Sequence, residues 1–113
     1  MIDQKKFLPI LTDVARRSFR DVADDDYITA RMCFIHRLYP QYIWHSQQAV
    51  EKYLKGILLF NKQSAKNLGH NLLKAHERIV KSLSSIDINL TGETLSYLKH
   101  LDTWGENRYF EKP

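Results

Sequence analysis

Apolar residues recur at steps of three and four along most of the chain, with polar residues between them. This spacing puts apolar side chains on one face of a helix, which turns once in about 3.6 residues. The clearest stripe follows Pro40 and consists of Ile43, Val50, Leu54, Ile57 and Leu58. No run alternates apolar and polar residues as a strand does. The pattern predicts an all-α fold, an up-and-down bundle of four to five helices with short connections.

Acidic residues and a proline set the expected ends of the N-terminal helices. The first helix is predicted over about 7–23, because Asp24, Asp25 and Asp26 stop it and offer N-caps to the next. The second is expected to end near Tyr39, since the residue before a proline disfavours helical backbone. Pro40 can then open the third helix, where its missing N–H is not needed.

The C-terminal half is expected to hold two further helices after a loop. The periodicity fails from Asn61 to Gly69, which predicts a polar, basic loop. A fourth helix then follows His70 or Asn71. Thr91 is a suitable N-cap for a fifth helix, and Gly105 is a plausible residue to follow its C-terminal end.

The length, charge and cysteine content limit the domain number and the kinds of partner and bond to expect. The 113 residues are one domain's worth of sequence, so residues 1–113 are predicted to form a single domain. Lys and Arg number 17 against 13 Asp and Glu, and the resulting charge of +4 permits a phosphate-bearing partner without requiring one. One cysteine, Cys33, cannot form an internal disulfide. With no visible signal peptide and no apolar run long enough for a membrane span, a cytoplasmic location is expected and a membrane partner is not.

One block of the sequence is more specific than these general features. The third predicted helix carries Ala49-x-Glu51-Lys52-x-Leu54-Lys55, and after the polar loop comes His70-Asn71-Leu72. This order resembles the HEPN domain family, in which a long helix with Ala-x-Glu-Lys-x-Leu-Lys precedes a variable loop and a His-Asp-Leu-like helix start. Near the end, Arg108-Tyr109 resembles the Arg-Tyr-Pro that often closes the family. The resemblance covers about residues 24–110.

The resemblance implies a helical bundle that commonly homodimerises and associates with nucleotides or RNA. Many members stand beside a small nucleotidyltransferase in toxin–antitoxin pairs. Others are metal-independent ribonucleases that use Arg, four to six residues, and then His. Arg108 is near the expected place, but no histidine follows it before Pro113, so either the nuclease motif is missing or the chain is cut short. The departure puts ribonuclease activity in doubt and leaves the expected fold unaffected.

Arg31 and His36 have the spacing of the nuclease motif, but they lie in the second predicted helix. Residues five apart on a straight helix point about 140° away from each other. A coincidence of spacing is therefore the favoured interpretation. The alternative is a catalytic pair, with the arginine stabilising charge at the scissile phosphate and the histidine transferring a proton.

Five residues are candidates for nucleotide or RNA contacts. Lys52 and Lys55 are expected on the solvent or partner side of the third helix, where an ordinary solvated face is favoured over a phosphate contact. His70 opens the fourth helix, where backbone N–H groups attract anions, and capping or packing is an equal alternative. Arg108 and Tyr109 complete the set through the family resemblance.

Other basic and aromatic residues form patterns with two interpretations. Two basic stripes could track a phosphate backbone, although solvated faces are favoured: Arg16, Arg17 and Arg20, and Lys74, Arg78 and Lys81. Aromatic residues cluster around Pro40 and near the C-terminal end, where stacking on bases is one interpretation and packing in the core or a dimer is the more usual one.

Metal and cofactor chemistry is not expected. His76-Glu77 begins like a zinc-protease helix, but Val80 occupies the position of the second histidine. No glycine-rich phosphate loop is present. The sequence thus favours a HEPN-like domain that binds nucleotide or RNA as a homodimer and acts beside a nucleotidyltransferase or as a degenerate nuclease. It is expected to be a binder more than an enzyme. The alternative is a non-catalytic helical protein-interaction module, and a DNA-binding regulator ranks last.

Overall fold

The described part of the chain is a succession of helices. The computed structural model describes residues 9, 10, 12–83 and 91–110, and it describes side chains as far as residue 104. Every regular element within these ranges is helical, which confirms the predicted all-α class. The elements are a π-helical segment Ala15–Arg20, α1 Asp21–Ile35, α2 Tyr39–Phe60, α3 Leu72–Ser82 and α4 Gly92–Phe110.

The predicted break at Asp24–Asp26 is wrong. The π-helical segment continues directly into α1, and the helix runs through all three aspartates to Ile35. Two of these carboxylates bind side chains of α2 instead of capping their own backbone. Asp24 accepts a hydrogen bond from Tyr53, and Asp26 contacts Lys52. Because their carboxylates bind side chains of α2, these aspartates stabilise the packing of α1 against α2 and do not cap the start of another helix.

The predicted end near Tyr39 is also wrong, because α1 already ends at Ile35 and Tyr39 begins α2. Three other predicted helix ends are confirmed. Pro40 lies in the first turn of α2. Asn71 caps α3, because its side-chain oxygen accepts from the backbone N–H of Lys74 at 2.9 Å. Thr91 caps α4 by accepting from the backbone N–H of Thr94 at 3.2 Å. Gly105 does not end α4, which continues to Phe110, since a single glycine weakens a helix by only about 1 kcal/mol.

A carboxylate from α4 completes the N-terminus of α3. Asp102 accepts hydrogen bonds from the backbone N–H groups of Leu72 at 2.7 Å and Leu73 at 3.1 Å. Together with the Asn71 cap, these bonds satisfy the first three N–H groups of α3, which no residue within that helix can satisfy. The contact also places negative charge at the positive end of the helix dipole.

The long helix α2 lies at the centre of the bundle and packs against every other helix. Two apolar clusters flank it, one with α3 and one with both α3 and α4: Leu58, Leu68, Ala75 and Ile79, and Leu72, Leu98 and Leu101. On its other side the N-terminal helical segment approaches closely, because a Cβ on Gly56 would lie 3.1 Å from Cβ of Phe19. The described helices include none with the length and apolar character to cross a membrane.

Candidate functional site

Asp26 joins α1 to α2 through two side chains. One carboxylate oxygen lies 3.2 Å from Nδ1 of His45, and the other accepts a hydrogen bond from Nζ of Lys52. The Lys52 side chain is only 24% exposed. The expectation of a solvated position for Lys52 is therefore wrong, because α1 lies over this side of α2.

Glu51 is the centre of a second set of contacts, between α2 and the loop before α3. It is 7% exposed, and its two carboxylate oxygens lie 2.6 Å from Nδ1 of His70 and 3.4 Å from Nζ of Lys55. Lys55 also donates to the backbone carbonyl of Gly69 at 2.7 Å. The loop thus covers Glu51 and Lys55, so the expectation of a solvated face is wrong for Lys55 too.

Gln47 extends these contacts by one helical turn. It is fully buried, and its Nε2 donates to the backbone carbonyl of His70 at 3.3 Å. We call this set, which consists of Gln47, Glu51, Lys55, Gly69 and His70, the polar network. Its lysine and glutamate charges balance, so it holds the loop against α2 with little net charge. The ring of His70 lies at its outer edge with 57% of the side chain exposed.

The pair with nuclease spacing does not converge. The guanidinium of Arg31 lies over the ring of Tyr27, 5.9 Å from its centroid. His36 follows the last residue of α1 and is exposed. No contact joins the two side chains, both of which the structure describes. Arg108 and Tyr109 belong to the last turns of α4, and their side chains lie outside the described residues.

An open cleft lies between the N-terminal helical segment and the C-terminal half of α2. Its volume is about 830 Å³, and we call it the basic cleft. The described side chains that line it include four cations and a single carboxylate, that of Asp13; the cations are Arg16, Arg20, Lys52 and Lys62. The rings of Tyr53 and Phe60 supply apolar surface. Such a lining suits a ligand that carries negative charge and a flat apolar part.

The cleft combines residues that sequence reasoning found and residues that it missed. Arg16 and Arg20 belong to a basic stripe visible in the sequence, whereas Arg17 pairs with Asp13 at 3.1 Å and does not line the cleft. Lys62 gave no periodic signal, since it follows the end of α2 with a left-handed backbone of φ 62°. Only the fold brings Lys62 beside the arginines.

A second concavity, of about 400 Å³, lies between α1, the N-terminal half of α2 and α4. We call it the aromatic groove, because its lining includes five rings and one charged side chain, Arg31; the rings are those of Tyr27, Phe34, Tyr42, Tyr53 and Tyr97. The hydroxyls of Tyr42 and Tyr97 lie 3.1 Å apart. Burial raises the pKa of Tyr97 to about 12, and the hydrogen bond with Tyr42 adds to the effect.

Tyr53 lines both the basic cleft and the aromatic groove. Its hydroxyl donates a hydrogen bond to the carboxylate of Asp24. Burial raises the pKa of Tyr53 to about 12, and the bond to Asp24 strengthens this, because ionisation would place two negative charges together. Tyr53, which lines both concavities, is thus fixed to α1 by its hydrogen bond to Asp24.

A titration of the phenol groups should show these two shifts. Tyr53 and Tyr97, two of the six tyrosines, should ionise near pH 12, about two pH units above the ordinary value of 10.0. The unfolded chain loses these protons first, so stability should be unaffected below pH 10 and fall between about pH 10 and pH 12. Phenolate absorbance, compared in native buffer and in urea, measures both effects. If the absorbance change near pH 12 were as large in Tyr53→Phe as in the parent protein, the raised pKa assigned to Tyr53 would be contradicted.

The described residues contain no group of three or more His, Cys, Asp or Glu side chains arranged to hold a metal ion. The ionisable groups of the site form ion pairs instead: Asp26 with Lys52 joins α1 to α2, whereas Glu51 with Lys55 lies within α2. Lys52 lines the basic cleft, so the first of these pairs also lies at the edge of that cleft.

Comparison with known proteins supplies one match. A sequence model described as the HEPN domain matches residues 17–111, which include all of α1, α2, α3 and α4. This result confirms the family resemblance that was expected from the motif at Ala49–Lys55 and from His70-Asn71-Leu72. Neither a curated protein nor a solved structure matches the chain.

Proposed function

Because this chain belongs to the HEPN domain family, we propose that it binds a nucleotide or RNA and that the basic cleft receives the phosphate groups. The observation that carries the proposal is the lining of the cleft, in which four cations face one carboxylate beside two aromatic rings. Lys52 is the residue of the expected contact set that lines the cleft. Lys55 and His70, in the neighbouring polar network, and Arg108 and Tyr109, near the end of α4, remain candidates for further contacts.

The two arginines of the cleft are held weakly enough to exchange partners. Arg16 pairs with Asp13 at 3.0 Å and Arg20 with Asp21 at 3.3 Å. The side chains of both arginines and both aspartates are about half exposed. Ion pairs of this kind contribute at most about 1 kcal/mol. A phosphate can therefore replace the aspartates as the partner of these arginines at a small cost in free energy. It would form charge-assisted hydrogen bonds with the guanidinium groups.

The proposal is one of binding. Metal-independent cleavage would need Arg31 and His36 to meet at one phosphate, and these side chains make no contact with each other in the described structure. They remain the candidates for any catalysis. By analogy with the family, we further propose a cytoplasmic setting and a nucleotidyltransferase partner in a toxin–antitoxin or similar system.

One observation favours a second candidate function, a helical interaction and dimerisation module. Ile28, Met32 and Ile35 follow one another at four and three residues along α1, and each is half exposed or more. Three neighbouring apolar side chains on one exposed helix face are typical of surfaces that bind another protein. A second copy of the chain is the partner that we propose, which would make this protein a homodimer.

Binding of a short single-stranded RNA tests the primary proposal. Fluorescence anisotropy of a labelled oligouridylate, measured at several salt concentrations, should give an affinity that falls as salt rises. The double variant Arg16→Ala/Arg20→Ala should bind more weakly, and its salt slope should be smaller by about 0.7 for each arginine that contacts a phosphate. Molecular mass in solution, measured on the same samples, reports the dimer.

The double variant Lys74→Ala/Lys81→Ala is the matched control, because it removes two exposed cations of α3 that do not line the cleft. It should bind like the parent protein. Equal weakening in both double variants would mean that the cleft has no special role. A well-folded protein with no affinity for the RNA at low salt would contradict the proposal and leave the interaction module as the better function.

A further inference from the structure

We propose that the aromatic groove is a base-binding site that continues the basic cleft, so that the ligand is a single-stranded RNA of at least two nucleotides. This inference rests on the proposed function and makes it more specific. A basic cleft alone would accept any nucleotide through its phosphates. A cleft followed by a row of aromatic rings instead favours a strand, whose phosphates and bases can occupy both concavities together.

The two concavities take their walls from successive parts of α2 and from successive parts of the continuous helix that the N-terminal segment forms with α1. The basic cleft takes its walls from Arg16 and Arg20 and from the C-terminal half of α2, as far as Phe60. The aromatic groove takes them from the C-terminal half of α1 and from the N-terminal half of α2, beginning at Tyr42. From Tyr42 to Phe60 the helix rises by about 27 Å at 1.5 Å per residue. That length exceeds one nucleotide, and among the described residues Tyr53 alone belongs to both walls.

The rings of the groove are accessible to a ligand. Tyr27, Phe34 and Tyr97 are each about half exposed, although each also lines the concavity. Every base has an aromatic face, so stacking on such rings does not depend on sequence. The paired hydroxyls of Tyr42 and Tyr97 can donate to and accept from the edge of a stacked base.

The charge of the groove favours a nucleic acid over a peptide. Arg31 is its one charged side chain, and no carboxylate belongs to the described lining. An occupant that is flat, aromatic and negatively charged satisfies the rings and the arginine together. The apolar side chains Ile28 and Met32 do not line the groove, whereas Ile35 does, so a protein partner on this face of α1 would adjoin the groove.

The test compares an oligouridylate hexamer with a hexamer of the same sugar–phosphate chain that lacks its bases. Stacking on aromatic side chains contributes enough for the abasic strand to bind about 5- to 100-fold more weakly. Tyr27→Ala should weaken binding of the hexamer with bases within that range and leave the abasic strand unaffected. Arg16→Ala/Arg20→Ala should weaken both strands. Anisotropy competition gives the affinities, and circular dichroism confirms that each variant is folded.

Tyr39→Ala is the matched control. Tyr39 is a tyrosine near the same end of the bundle, exposed to the same extent as Tyr27, and it lines neither concavity. Its removal should change neither affinity. Equal binding of the two strands, or equal affinity for the base-bearing strand in Tyr27→Ala and the parent, would overturn the base site while RNA binding in the cleft stands. Failure of both strands to bind would overturn the proposed function itself.

Discussion

Leu58→Ala should lower the free energy of unfolding by about 2 to 5 kcal/mol. Leu58 is fully buried where α2 meets α3, in one cluster with Leu68, Ala75 and Ile79. Its truncation removes buried methyl groups and leaves a cavity. The surrounding side chains come from three closely packed chain segments and cannot all move to fill it. A domain of this size is stable by about 5 to 15 kcal/mol, so the loss is a large fraction of the whole.

Urea denaturation followed by circular dichroism measures this effect. Leu38→Ala is the control, because Leu38 lies in the turn between α1 and α2 and is half exposed. The same change of chemistry there should cost less than about 1 kcal/mol. Similar losses for the two variants would mean that the cluster around Leu58 does not form the tightly packed centre described above.

Glu51→Ala should have the second-largest effect, a loss of about 1 to 3 kcal/mol. The carboxylate is nearly inaccessible to water and is the acceptor for both His70 and Lys55. Without it, Lys55 loses its charged partner in a site where its side chain is only 18% exposed. The expected loss is smaller than for a fully buried ion pair, because the exposed ring of His70 can turn to water.

Glu77→Ala is the control for this prediction, since Glu77 is an exposed glutamate of α3. Glu51→Gln separates charge from shape, because an amide keeps the volume and can still accept from His70. It should retain more stability than Glu51→Ala. A stability of Glu51→Ala within about 0.5 kcal/mol of the parent, as is normal for surface substitutions, would show that the polar network does not hold the loop.

The helices could be predicted from the sequence because their signals are local. The cap at Asn71, the cap at Thr91 and the proline in the first turn of α2 each act within a few residues of the helix end that they set. The same reasoning failed at Asp24–Asp26. Three acids in a row are good local stop signals, but two of them have partners 26 and 29 residues away on α2. Tertiary contacts overrode the local preference there.

The site was harder to predict for the same physical reason. Helical periodicity assigned Lys52 and Lys55 to a polar face correctly, but polar and solvated are different properties. Whether a polar face meets water depends on what packs over it, and here the cover comes from α1 and from the loop before α3. Likewise, the basic stripe in the sequence predicted Arg16 and Arg20 as candidates. That these arginines share a cleft with Lys62 and Phe60 depends on how the helices pack and could not be predicted.

Asp102 has a consequence for the order in which the chain can acquire its structure during synthesis. It comes 29 and 30 residues after the two N–H groups that it satisfies at the start of α3. As the chain leaves the ribosome from its N-terminus, α3 emerges before the side chain that completes it. Two N–H groups of its first turn therefore stay open to water until α4 has been made and docked, so the start of α3 is completed only after the synthesis of α4.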